Sequence, residues 1–188
     1  MAGIGQWHPL KPSACWACPR SKVTDLLVYV ESFDIQPFVG ALPIAFGMHR
    51  SEVHAILGSP EVLGSGRSTK GTSDSWLGSR ITVRYNLEWT VVHVGFCLGE
   101  YELKLLGTVL WNPSAQPDPN PELLRLDPAP REVLGFLVFT RLGVTTTGYH
   151  DDDESQRALT IFPRGTWNLL LEKATEPDLI RYLTMMRA

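Results

Sequence analysis

The chain has 188 residues, of which 44% are hydrophobic and 20% charged. That length supplies one good-sized core, or two small halves sharing one, and the apolar content excludes a disordered chain. Seventeen Lys and Arg against twenty Asp and Glu give a net charge of -3, and the acidic excess falls within residues 113–188; the basic stripe of a nucleic-acid binder is absent, so nucleic acid is not an expected partner.

Residues 1–22 read as an irregular arm, because Pro9, Pro12 and Pro19 fix φ and remove backbone donors. The apolar runs, such as Leu26–Val30, are too short to cross a membrane, and Met1–Leu10 lacks the pattern of a secretory signal. Val23–Val30, rich in β-branched residues, predicts a first strand, and Gly40–Phe46 a connector. Within Gly47–Pro60, Val53, Ile56 and Leu57 fall on one helical face, with Ser51 as the cap and Gly58 as the stop. Gly64–Gly78 is rich in Gly, Ser and Thr and reads as a flexible loop. Ile81–Tyr85, Trp89–Leu98 and Leu103–Trp111 predict an antiparallel meander, with Val92, Val94, Phe96 and Leu98 on one face of the middle strand.

Asn112–Pro121 is dense in proline and marks a boundary, so the chain divides into a half at 23–111, a linker at 112–126 and a half at 127–188. In the second half Asp127 caps a helix whose apolar face is Val133, Leu134, Leu137 and Val138, ended by Gly143. A strand at Val144–Gly148, a hairpin of Ala158–Phe162 with Thr166–Leu171, and a last helix from Thr175 with Leu179, Tyr182 and Leu183 inward complete the pattern. The expected fold class is α+β: antiparallel sheets built from two helix-then-meander halves, with a C-terminal helix.

Cys15-Trp16-Ala17-Cys18 is the sharpest chemical motif. Two thiols at this spacing serve a thiol redox enzyme or half of a metal site. The flanking prolines remove the strand-then-helix context of the redox motif, and a zinc site needs two more ligands, for which His8 is the one nearby candidate. Three cysteines are too few for a disulfide-stapled secreted domain, so a reducing, cytoplasmic setting is expected. Gly66 and Gly71 have the glycine spacing of a phosphate loop, but Thr72 stands where its Lys belongs. His49, His54 and His93 read as solvated or hydrogen-bonded. The acidic run Asp151, Asp152, Asp153 and Glu154, after His150, lacks the alternating spacing of a calcium loop and reads as a solvated loop, or, as the functional alternative, a patch that steers a basic protein surface. Trp76, in the Gly/Ser-rich loop, and Trp111, beside the linker, are the tryptophans better placed to anchor a protein contact, with plain core packing as the equal alternative. No cofactor is expected.

The run FGMHRSEVHAILGSP, Phe46–Pro60, followed by a Ser/Gly loop and then ITVRY at Ile81–Tyr85, resembles the opening of the small helix-then-meander domains of bacterial inhibitor and immunity proteins. The duplicated plan is similar to that of the β-lactamase inhibitor protein family, and each half resembles the small domain of some outer-membrane-assembly lipoproteins. The likeness covers residues 42–172 as a pattern, without the lipid-anchor cysteine of the lipoproteins or the half-domain disulfides of the secreted inhibitor. It implies a non-catalytic cytoplasmic protein that binds a partner protein, a toxin, and blocks it by occlusion. Asp151, Asp152, Asp153, Glu154, Trp76 and Trp111 are the expected contact residues.

Overall fold

The computed structural model describes residues 30–63, 72–78, 80–115, 117–149 and 156–175. β1 (Ser32–Gln36) buries Phe33 and Ile35 and turns Ser32, Asp34 and Gln36 outward, the two-residue period of a half-buried strand. β2 (Gly40–Leu42) and β3 (Ile44–Ala45) fold back beside it, where the sequence predicted only a connector. An added Cβ at Gly40 (φ 149°) would lie 2.2 Å from the Ile44 carbonyl oxygen, so this tight return requires glycine.

The predicted first helix is α1 (Arg50–Leu57), with Val53 and Leu57 buried. Its cap is His49 rather than Ser51: the His49 amide donates to Glu52 Oε2 (2.7 Å) and the Ser51 amide donates to His49 Nδ1 (3.3 Å). Gly58, at φ 79°, ends it. The expected loop Gly64–Gly78 contains a strand, β4 (Thr72–Trp76), whose Thr72, Asp74 and Trp76 point inward and whose Ser73 and Ser75 point outward. The alternation is there, but in polar side chains that a hydrophobicity pattern passes over.

β5 (Ile81–Tyr85) and β6 (Val91–Cys97) follow as predicted, antiparallel to β4 and to each other. A register shift between Arg84 and Tyr85 buries Val91, Val94 and Phe96 and leaves Val92 and Leu98 half-buried. Leu103–Trp111 is not one strand but a hairpin of β7 (Glu102–Leu105) and β8 (Thr108–Trp111). Its turn is Leu106-Gly107, with φ of 51° and 81°, the sign pattern of a type I′ connection. This hairpin leaves the meander and joins the first strands in a five-stranded sheet of order β3-β2-β1-β7-β8, in which β1 and β7 run parallel.

The second helix lies earlier than predicted. α2 (Asn120–Leu126) starts inside the proline-dense stretch, where Asp118 Oδ1 accepts the Asn120 amide (2.8 Å) and proline occupies the first turn. Asp127 terminates this helix instead of starting one. Val133, Leu134, Leu137 and Val138 belong to a hairpin, β9 (Arg131–Val133) and β10 (Phe136–Phe139), turned at Leu134-Gly135 with φ of 53° and 82°. β11 (Val144–Thr147) and β12 (Ala158–Ile161) match the predicted strands. Thr166–Leu171 is a turn and a short helix, α3 (Asn168–Leu171), in place of a strand. Thr175 forms a bridge to Glu132; the helix expected beyond it, like Val23–Tyr29, lies outside the described residues.

The fold is therefore α+β, with a helix followed by a meander twice over. Pairing of β6 with β12 fuses the two meanders into one antiparallel seven-stranded sheet, β4-β5-β6-β12-β11-β10-β9. The main core joins both sheets and the first two helices. Phe33 of the small sheet meets Phe96 of the large one at 5.2 Å between ring centroids, with Val53 and Leu57 of α1 and Leu123 of α2 in the same cluster. β10 is buried on both faces: Leu137 and Phe139 belong to this core, while Val138 joins Val133 and Phe162 in a smaller cluster edged by Trp167, Leu170 and Leu171.

Candidate functional site

The densest chemistry gathers where α1 crosses the start of the large sheet. Asp74, on the inward face of β4, is fully buried. Its carboxylate accepts two hydrogen bonds from Arg50, from Nε at 2.6 Å and Nη2 at 2.5 Å, and its Oδ2 lies 2.7 Å from His54 Nε2. An ionised carboxylate only accepts, so His54 carries its proton on Nε2. Arg50 and His54 sit four apart on one side of α1, the spacing at which helical side chains are neighbours. The guanidinium also lies over Trp89 at 4.8 Å and near the Tyr85 ring at 5.7 Å, and the His54 ring stands edge-on to Trp76. Hydrogen bonding to Asp74 raises the Arg50 pKa. Burial, and then the Asp74 charge, hold the Tyr85 phenol protonated well above its ordinary range.

An Asp–His pair is also the arrangement that orients a general base. Among the described contacts His54 meets Asp74 and Trp76, and neither offers a hydroxyl or thiol for it to deprotonate. What the geometry supplies is a clamp: one buried carboxylate ties two cationic or polar side chains of α1 to β4, and so fixes the helix on the sheet. Arg50 and Asp74 drew no notice in the sequence, because Asp74 stood in a stretch read as loop.

The two tryptophans expected on the surface are interior. Trp76 is 3% exposed and donates from Nε1 to the Gly58 carbonyl (3.1 Å); Trp111 is fully buried against Tyr101. Both lie on strands whose inward residues face the main core, so neither ring offers area to a partner. Asp151, Asp152, Asp153 and Glu154 lie outside the described residues, between Tyr149 and Gln156, and Cys15 and Cys18 also lie outside them. Cys97, on β6, is half-buried and forms no disulfide among the described residues. His93, on the same strand, has its pKa lowered to about 4 by burial and then by the neighbouring Arg84.

A second constellation was not anticipated. On the outward face of the small sheet, strand pairing aligns Leu42, Asp34, Lys104 and Val109 in one row across four strands, a width of about 14 Å. The charged members are internally matched: Lys104 Nζ is 2.5 Å from Glu102, and Asp34 accepts Gln36 Nε2 (2.6 Å) and the Gly107 amide (3.0 Å). The apolar members are open to solvent, with Leu42 at 42% and Val109 at 44% exposure; Val39 and Leu106, at the ends of the β1–β2 and β7–β8 turns, exceed half. Because β1 and β7 run parallel, those two turns share one end of the sheet.

All non-glycine residues with positive φ among the described residues are large and apolar: Phe38, Leu77, Trp89, Leu106 and Leu134. Asn and Asp ordinarily fill such positions, and a leucine there is sterically disfavoured. Leu106 and Leu134 are also solvent-exposed, so they satisfy neither backbone preference nor burial.

The chain matches no protein-family model, no curated protein and no solved structure. No described helix is long and apolar enough to cross a membrane.

Proposed function

We propose that this chain is a protein-binding inhibitor that acts by occlusion, of the kind that neutralises a toxin inside the cell that makes both. The observation that supports this reading is the outward face of the small sheet. It combines exposed aliphatic side chains with charges already satisfied within the sheet. A partner covering it would gain apolar burial without stripping unpaired charges of water. The strained, exposed Leu106 at its tip fits the same reading, since conformations that cost stability persist at functional surfaces. The carboxylates Asp151, Asp152, Asp153 and Glu154 serve as a steering patch in this scheme; Trp76 and Trp111 have no part in it.

The test is co-expression with the product of the adjoining reading frame, scored as growth. Wild-type chain protects, and Leu42→Asp combined with Val109→Asp, at unchanged far-ultraviolet circular dichroism, loses protection. A folded double variant that protects as well as wild type removes this face from the reading, and a wild-type chain that gives no protection removes the reading itself.

A further inference from the structure

A cleft of about 300 Å³ lies where the β1–β2 turn meets the segment after β12, at the lower end of the size of small-ligand sites. Its walls are the rings of Phe38, Phe162 and Trp167 and the side chain of Leu171; its polar side chains are Thr140, Arg164 and Asn168. Phe38 is held rigidly there. Its backbone sits at φ 62°, and its ring packs so close to Gly143 that a Cβ on that glycine would meet it at 3.0 Å. The Arg164 guanidinium stacks on this ring, 3.9 Å from its centroid.

That stacking is the one interaction Arg164 makes among the described residues: it has no hydrogen bond or ion pair, and the Asn168 side chain likewise has no hydrogen bond. Both residues are exposed. A ring held on a disfavoured backbone conformation thus carries a guanidinium at the mouth of an aromatic cleft, with none of its N–H donors bonded among the described residues. A planar fork of donors matches a carboxylate, and the ring walls match a flat apolar body.

We propose that this cleft binds an aromatic carboxylate: the carboxylate on Arg164, assisted by the Asn168 amide, and the ring against the half-buried Trp167 and Leu171 side chains. The site is separate from the outward face of the small sheet and does not depend on the inhibitor reading. The chemistry is common to a free aromatic acid and to a peptide ending in an aromatic residue.

The test is ligand-observed NMR titration of the full chain with benzoate, with benzyl alcohol as its uncharged counterpart. Benzoate is expected to bind at least tenfold more tightly than benzyl alcohol, and Arg164→Gln to weaken benzoate about tenfold, the loss of one charge-assisted contact, while leaving benzyl alcohol unchanged. Arg164 is exposed, so the variant folds. Acetyl-phenylalanine binding tenfold tighter than both benzoate and its own amide assigns the site to a peptide C-terminus; benzoate binding as tightly as acetyl-phenylalanine, or more tightly, assigns it to a free acid. Equal binding of benzoate and benzyl alcohol, no binding of benzoate, or benzoate binding that Arg164→Gln leaves unchanged overturns the proposal.

Discussion

Replacing Asp74 by Ala removes one fully buried carboxylate and strands two partners at once. Arg50, itself only 18% exposed, loses both hydrogen bonds to Asp74, and His54 loses its 2.7 Å contact. Breaking a buried ion pair from one side costs about 3–5 kcal/mol, because the remaining charge stays desolvated. In a chain of this length each kcal/mol lowers Tm by roughly 2–4 °C, so a drop of roughly 6–20 °C is expected. Urea unfolding followed by circular dichroism measures the cost directly. The clamp also makes a second, sharper demand. Arg50→Met with Asp74→Leu removes both charges and restores apolar volume, and should recover most of the loss, whereas the single variants should not add. A cost under about 1 kcal/mol for Asp74→Ala, or strictly additive single variants, would mean that α1 is held by Val53 and Leu57 alone.

Three further outcomes follow from particular residues. The native state holds His93 neutral, with a pKa of about 4 against an ordinary 6.5; the unfolded chain therefore binds the extra proton between those values, and stability falls as pH drops through that window. The full effect is about 3 kcal/mol, and His93→Gln should flatten urea-derived stability between pH 7 and 4.5; an unchanged slope places the acid sensitivity elsewhere. Gly40→Ala drives a methyl into the Ile44 carbonyl and should cost more than about 2 kcal/mol, so a variant with wild-type Tm would contradict the β2–β3 return. Reversing Asp151, Asp152, Asp153 and Glu154 to Lys should slow association with the partner about tenfold while changing dissociation little, and unaltered stopped-flow kinetics would take the acidic run out of the scheme.

The parts of the fold legible in the sequence were those in which pattern and chemistry agree. Ile81–Tyr85 alternates apolar and polar side chains and is β5; Val53 and Leu57, ahead of Gly58, mark the buried face and end of α1. The misreadings share a cause. In β4 the inward residues are Thr72, Asp74 and Trp76, so a buried polar strand passed for a loop and took the central residue of the clamp with it. In β9 and β10 the apolar spacing of Val133, Leu134, Leu137 and Val138 fits a helix as well as a hairpin, and Leu134-Gly135 carries no Asn or Asp to announce the turn. Leu106-Gly107 hid the β7–β8 turn in the same way. The outward face of the small sheet was illegible for a different reason: its row is assembled from strands far apart in sequence, and one of its pairings is parallel.

Those two Leu-Gly turns also allow stability to be separated from function. At φ of 51° and 53° a leucine costs about 1–2 kcal/mol relative to a relaxed backbone, and Leu106 and Leu134 recover little of it by burial, being 54% and 64% exposed. Asn-Gly is the favoured pair for such a turn, so Leu106→Asn and Leu134→Asn should each stabilise the chain by about 1 kcal/mol, a rise in Tm of roughly 2–4 °C. If selection kept Leu106 for contact with a partner, the two variants part company in the growth assay: Leu134→Asn gains stability and still protects, whereas Leu106→Asn gains stability and protects less. A Leu106→Asn chain that is both more stable and fully protective would show that the strained leucine at the tip of the small sheet contributes nothing to binding, and the contact would then rest on Leu42 and Val109 of the same face.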